Sequence, residues 1–443
     1  MAYVRKVNTK YEDCQSGISY ALPGLLTEKG IIISHVRYLA WYNTKSASWR
    51  ERAIFSLKLL IEFINASKNI EKGYELLKAF RDSLVTGTID YDTCNDTMGL
   101  FWRPRKIHDI NNILHHLNHY TDFLALQDEY NSLRVNPFRK ATSYEERLNW
   151  CAYYNKQKNV FLNHLSNKDD AKRNAQRQRW VSQIPNLKID NDKVVRFPDE
   201  HIENLIYEGF NRKGIPDYKC QAMTMLMNFG GVRKSEVFHI YTSDITLHPT
   251  RPDEALVRIY HPVHGQSPDP RYKNRMEYLS AKTSYQPRTE YPRSKRLHAG
   301  WKGALLTDNR NFFEVIFNPA YKAKEFLNIW ISYLKYQRVE PPQFENHPFA
   351  FTNNEGLPET IKNFQRLHKD AVEKIGLEYK KELGTTEHGH RHAYGYRCRF
   401  FGLEPIEIQK TMHHKSPHSC LVYIKPTNEE LREAMRKIDE DYK

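Results

Sequence analysis

Two arginines, a group of histidines and a late tyrosine are the residues of this chain best suited to chemistry. Arg233 lies in the run Gly230-Gly231-Val232-Arg233-Lys234-Ser235-Glu236, and Arg391 in Glu387-His388-Gly389-His390-Arg391-His392. Met412-His413-His414-Lys415-Ser416 follows, then Tyr423 just before a charged tail. This set suits attack on a phosphodiester. Such a phosphate is a weak electrophile wrapped in negative charge, so cutting it without metal needs fixed cations and donors on its oxygens. Arginine is the best clamp, because its planar fork stays charged and grips two oxygens at once. The tyrosine can be the nucleophile if cations or a base draw off a proton whose pKa in water is about 10.

The elements that must position these groups are legible as patterns. A helix start at Phe197-Pro198-Asp199 carries Ile202, Leu205, Ile206 and Phe210 on one face, and a second helix, Tyr218 to Phe229, is stopped by the flexible pair Gly230-Gly231. Arg233 follows that turn. Ala255 to Tyr260 alternates like a strand, and Ala304-Leu305-Leu306 is expected to return beside it after a long insertion rich in lysine, arginine and proline. Phe326 to Tyr336 and Ile361 to Ile375 read as helices, the second stopped by Gly376, and the chain stays helical to Tyr423. Beyond it, Asn428-Glu429-Glu430 opens a helix within 427–443, with Leu431, Ala434, Met435 and Ile438 as one apolar stripe.

Upstream, residues 1–40 read as an irregular arm broken by Pro23, Gly24 and Gly30. Residues 41–185 read as an all-helical unit. Its first helix is capped by Ser48 with Glu51 as partner and carries Ile54, Leu57, Ile61 and Ile64; later stripes are Leu76, Leu77, Phe80 and then Ile110, Ile113, Leu114, Leu117, Tyr120, Leu124. Lys168, Lys172, Arg173, Arg177 and Arg179 form a basic run before Pro185. It is either a solvated face or a linker that crosses a DNA backbone between two domains, exposed in both cases. A new domain, 194–426, starts near Val194.

At 443 residues the chain is long enough for two or three domains, and its 40% apolar content can fill their cores. Net charge is +14 and the pI about 9.2, which favours a polyanionic partner. The six scattered cysteines contain no C-x-x-C pair and read as reduced structural thiols. With no apolar signal core at the N-terminus and no long apolar run, a cytoplasmic place without membrane contact is expected. Neither phosphate-cradling glycine motif occurs, so nucleotide hydrolysis has no foothold. His388, His390 and His392 alternate, which would serve a metal-dependent hydrolase on a strand; a helix scatters them, and no carboxylate cluster completes a site.

The second half, roughly 195–426, resembles the catalytic domain of the tyrosine recombinases, the phage-integrase family of DNA-breaking and rejoining enzymes. Gly231-Val232-Arg233-Lys234-Ser235-Glu236 is similar to that family's first arginine box, with Asp244 where an aspartate often follows; His388 to His392 is similar to its H-x-x-R-H box. His414 precedes Tyr423 by the family's usual nine positions, and the boxes come in family order. The resemblance implies a mainly α fold with a small antiparallel β-sheet, a helical core-binding domain preceding a mixed α/β catalytic domain. Arg233 and Arg391 would hold the phosphate, His388 and His414 would donate or shuttle protons, and Tyr423 would attack. A lysine on the hairpin would protonate the leaving oxygen, with Lys302 next to the expected return strand and Lys282 and Lys273 as alternatives. The family usually has glycine where His413 stands, so either histidine can face the phosphate, the interval favouring His414. Glu236, Asp244, His392 and His413 read as partners that orient or pack against these groups, and His390, His418, Tyr394 and Tyr396 as packing residues.

The same resemblance implies double-stranded DNA as substrate, no cofactor, and self-assembly into a tetramer on DNA through the tail, with helper proteins possible. It implies a place at the bacterial nucleoid and service to a mobile element. Alternatives that share these residues are a type IB topoisomerase and a DNA-binding protein without catalysis.

Overall fold

The computed structural model describes residues 4–12, 17–67, 72–127, 134–157, 168–185 and 195–420, and beyond them 423, 428, 431, 432, 435 and 436. The chain divides into two compact units, Met1–Ile189 and Asp190–Lys443. The fold is mainly α with small antiparallel sheets.

The first unit begins with β1 (Arg5–Glu12), β2 (Ser19–Thr27) and β3 (Gly30–Ile31), an antiparallel sheet in the order β1-β2-β3. The expected irregular arm is therefore a built part of this unit. Pro23 does not break β2: it sits opposite Asn8 in an unbroken register, while Leu22 and Leu25 enter the unit's core. A proline is tolerated there because β3 pairs only with Leu26 and Thr27, which leaves Pro23 with one unpaired edge. Helices α1 (Ile33–Trp41), α2 (Ala47–Ala66), α3 (Gly73–Thr86) and α4 (Ile107–Ala125) pack on that sheet and on one another. The cap of α2 is Ser46, whose hydroxyl accepts from the Trp49 N–H at 3.2 Å, two residues before the expected Ser48. Ile64 faces solvent, and Leu59, Leu60 and Phe63 are buried. The all-helical reading is also corrected further on. After β4 (Phe138–Lys140) and α5 (Ser143–Gln157), α6 (Lys168–Ala175) leads into β5 (Arg177–Arg179), which pairs antiparallel with β4.

The second unit opens with a one-turn 3₁₀ segment, Asp199–His201, that runs through α7 (Ile202–Asn204) into a π turn, Leu205–Gly209. A small hairpin follows, β6 (Asn211–Arg212) and β7 (Ile215–Pro216), then α8 (Tyr218–Asn228), which is buried from Lys219 onward, and the short α9 (Lys234–Val237). The strands β8 (Ile245–Leu247), β9 (Ala255–Tyr260) and, after α10 (Arg275–Lys282), β10 (Phe312–Glu314) make a sheet in the order β10-β9-β8. The return strand is thus Phe312–Glu314, not Ala304–Leu306. Leu305 instead donates its N–H to the His413 carbonyl at 3.0 Å. The helices that follow include α11 (Lys322–Ser332), α12 (Ile361–Lys374), α13 (Glu387–Phe400) and α14 (Pro405–Thr411). No helix among the described residues is long and apolar enough to cross a membrane.

The insertion between β9 and β10 is held by buried charge. Arg275 lies between the rings of Tyr241 and Tyr260, 4.0 and 4.2 Å from their centroids, and bonds the Asp244 carboxylate at 2.5 Å. Asp244 therefore anchors the insertion and makes no bond to either site arginine. Removing one partner of such a pair strands the other charge in the core. Asp244→Ala is expected to cost about 3–5 kcal/mol, read as a lower urea midpoint with faster amide exchange across 261–311. A loss below about 1 kcal/mol, the scale of a solvent-exposed pair, would mean that water reaches Arg275.

Candidate active site

Arg233 stands at the N-terminus of α9, where its own N–H donates to Glu236 Oε2 at 2.9 Å and its Nη1 to Glu236 Oε1 at 2.6 Å. Glu236 is fully buried, so it both caps the helix and aims the guanidinium. The turn before it needs glycine. Gly231 has φ +64°, and a Cβ there would lie 2.5 Å from the ring of Tyr394 on α13. That close approach brings the Gly231 carbonyl to Arg391.

Arg391, on α13, is only 2% exposed. Its Nη1 donates to the Gly231 carbonyl and its Nη2 to the Met412 carbonyl at 2.5 Å, and its charge acts on Tyr423. Burial and the nearby Arg233 lower its pKa from the ordinary arginine value, while Glu236 and Tyr423 oppose them. Tyr423 is itself 5% exposed and is seated over Gly395, where any Cβ would come within 2.7 Å of its ring. Burial raises the phenol's pKa, against the pull of Arg391 and Arg233. The phenol stays protonated at neutral pH.

Two imidazoles lie against the tyrosine, and a third lies behind one of them. His414 stacks on its ring at 5.9 Å and 14°, with Nδ1 3.2 Å from Cys420 Sγ; burial, then Arg391 and Arg233, push its pKa down to about 3. His392 lies 5.2 Å from the same ring and 4.6 Å, edge-on, from His388. His388, in the first turn of α13, has its pKa pushed down to about 4 by partial burial and then by His392, Lys302 and Arg391. These rings are neutral at pH 7 and able to accept a proton.

His413 points elsewhere. Its backbone has φ +54°, the left-handed conformation that glycine favours, and its ring stacks on Phe313 at 3.8 Å in the core. His390 likewise packs inward, stacked on Phe197 and bonded to Asn228 and His368. The alternate histidines of α13 thus part, and no group of three potential metal ligands occurs among the described residues.

Lys302 is exposed in the loop before β10, close enough for its charge to act on His388. Lys273 and Lys282 lie just before and at the end of α10, where the Lys273 N–H bonds Glu277 and the Lys282 charge acts on Asp269. In the first unit, Arg173 and Arg177 line a groove of about 1210 Å³ with Lys72, Arg134, Arg139 and Lys140. Lys172 is exposed on α6, whereas Arg179 is tied down by Asp122 and the Asn136 carbonyl and lies over the Phe138 ring; the Lys168 side chain is outside the described residues. Cys420, which sequence reasoning left as a structural thiol, is the residue it missed at the site. Its only signal was its place between His414 and Tyr423.

No protein-family model matches the chain, and no curated protein does. The similarity found is to solved recombinase structures. One is XerH site-specific recombinase bound to palindromic difH substrate in a post-cleavage complex, at 14% identity and a TM-score of 0.48, covering 87% of this chain and 78% of that one. Another is the Tn1549 transposon integrase with transposon right end DNA, at 13% identity and 0.46, covering 92% and 98%. XerA recombinase is similar at 15% identity and 0.35, covering 91% and 96%.

The depressed imidazoles couple stability to pH. His388, His413 and His414 ionise in the folded chain only at about pH 3 to 4, against about 6.5 when unfolded. Below about pH 6.5 the unfolded chain binds protons that the folded one does not, so the stability they contribute is full above that pH and drains as pH falls through the window. His413→Asn, which accepts the same backbone conformation, is expected to lose less stability between pH 6.5 and 5 than the unaltered protein. Urea midpoints at the two pH values measure the difference; equal losses would show that His413 titrates normally.

Proposed function

We propose that this chain is a tyrosine recombinase that breaks and rejoins duplex DNA through a 3′-phosphotyrosyl link, in the service of a mobile element. The observation that carries this reading is the convergence of Tyr423 with His392 and His414 against its ring, His388 edge-on to His392, and buried Arg391 with Arg233 acting on its phenol. Arg233 and Arg391 hold the non-bridging oxygens while charge builds on the five-coordinate phosphorus. The Tyr423 oxygen bonds to phosphorus as the bond to the 5′ oxygen breaks. The phenolic proton passes to the neutral pair His388 and His392, and the Lys302 ammonium supplies a proton to the leaving 5′ oxygen. The products are a phosphotyrosine and a 5′ hydroxyl, and attack by a hydroxyl of another strand reverses the steps. Because each step conserves one phosphoester bond, no ATP is required. In this reading the basic groove of the first unit, with Lys168 and Lys172 near it in sequence, binds the duplex, and salt weakens that binding steeply.

A nicked suicide duplex, from which the cut end cannot rejoin, tests the chemistry. The unaltered protein should become covalently linked to DNA, in EDTA as well, and Tyr423→Phe should bind without linking. Arg391→Lys should cut about 10²-fold more slowly with binding nearly kept. Lys302→Ala should be slowed on the ordinary duplex and restored by a 5′-sulfur leaving group, which departs without a proton. An adduct formed by Tyr423→Phe would place the nucleophile elsewhere.

The tail bears on assembly. Positions 428, 431, 432, 435 and 436 are helical, and Leu431 and Met435 are 43% and 60% exposed; Ala434, Ile438 and the rest of the stripe lie outside the described residues. A helix this short is marginal alone, so an exposed apolar stripe needs a surface. In our reading it docks on a second copy and couples sites in a tetramer. Deleting 428–443 should preserve single-site cleavage and abolish exchange between two duplexes. Full exchange by the shortened protein would refute docking in trans.

A further inference from the structure

We infer that Cys420 is a positioning residue for His414: its thiol S–H caps Nδ1 of the imidazole and so holds the ring proton on Nε2, where it can be donated to a phosphate oxygen. This rests on the function proposed above and names a part of that site for which no role has been given. The two atoms are 3.2 Å apart, within range for a sulfur hydrogen bond, and Cys420 is fully buried.

Three contacts fix His414 in three different respects. Its backbone is clamped by Gln409, which accepts the His414 N–H at 3.0 Å and donates its amide to the His414 carbonyl at 3.0 Å. Its plane is set by the Tyr423 ring. Cys420 sets its tautomer. A neutral imidazole has one N–H and one lone pair, and a phosphate oxygen only accepts. Nε2 must therefore hold the proton to serve substrate, which leaves the Nδ1 lone pair in need of a donor. Burial raises the Cys420 thiol's pKa, so the S–H persists at neutral pH. The competing account is packing alone, since Cys420 sits among Tyr394, Cys398, Ile408, Met412 and Tyr423.

Serine and alanine separate the two accounts. Cys420→Ser puts a hydroxyl donor where the thiol was, and Cys420→Ala removes the donor. On the full chain with the suicide duplex, Cys420→Ala is expected to cut about tenfold more slowly at unchanged DNA affinity, the scale of losing a group that orients another. Cys420→Ser should recover most of that loss. Nitrogen-15 shifts of His414 should show the Nε2–H form in the unaltered protein and in Cys420→Ser, and a mixture in Cys420→Ala. Equal cleavage and equal shifts in all three would overturn the inference, as would a serine variant no better than alanine. Failure of the unaltered protein to link to DNA would instead overturn the proposed function, and the nitrogen shifts would still decide the tautomer.

Discussion

The buried guanidinium of Arg391 is the constraint on which the second unit's chemistry depends. A charge taken out of water is costly unless its donors are satisfied, and here the carbonyls of Gly231 and Met412 accept from it. Those carbonyls belong to the turn after α8 and the end of α14. One side chain therefore ties the C-terminal helices to a turn 160 positions upstream. The glycines follow from it. Gly231 must pass against Tyr394, and Gly395 must leave room for the Tyr423 ring, or the carbonyl and the phenol cannot both reach the same guanidinium.

The two arginines push both kinds of neighbour toward the deprotonated form. Positive charge disfavours protonation of an imidazole and favours ionisation of a phenol. His414 is accordingly kept neutral, and Tyr423, though raised by burial, is drawn back toward ionisation. A bound phosphate would compensate the same charge and let the imidazoles take up protons more readily. The site without substrate thus holds its bases in the form that can receive the phenolic proton.

Local patterns were readable and distant contacts were not. Glu236 could be paired with Arg233 because they are three residues apart at a helix start, and the end of α12 could be placed because Gly376 follows it. Ala255–Tyr260 showed its strand by alternation. The β1-β2 hairpin was hidden by Pro23 and Gly24, whose usual meaning is a break, and only the pairing with β1 reveals otherwise. Ala304–Leu306 looked like a strand because it is apolar; its actual partner is the His413 carbonyl, 108 positions from Leu305. Asp244 fits a family position, yet its ion pair is with Arg275, inside an insertion that no local pattern connects to it. His413 is the converse case. The family's glycine at that place becomes intelligible once φ is known, since the backbone is left-handed and the side chain turns away to Phe313.

The long insertion between β9 and β10 carries Lys302 on a stretch with anchored ends. Extending a loop adds closure entropy only slowly, so its length is cheap provided that its ends are fixed. The segment that carries the lysine is fixed on both sides. Ala299 donates to the Arg288 carbonyl at 3.1 Å, and Arg288, itself buried, bonds the Glu359 carbonyl at 2.8 Å. Trp301 lies between His239 and His261, at 5.7 and 5.4 Å, and Leu305 is bonded to His413. An exposed side chain on a short stretch with anchored ends can reach a bound phosphate while its backbone stays in place. The bond from Leu305 to His413 also joins that stretch to the residue preceding His414. The lysine and the histidine proposed to flank the phosphate are thereby carried on one hydrogen-bonded frame, and a shift of one backbone would displace the other.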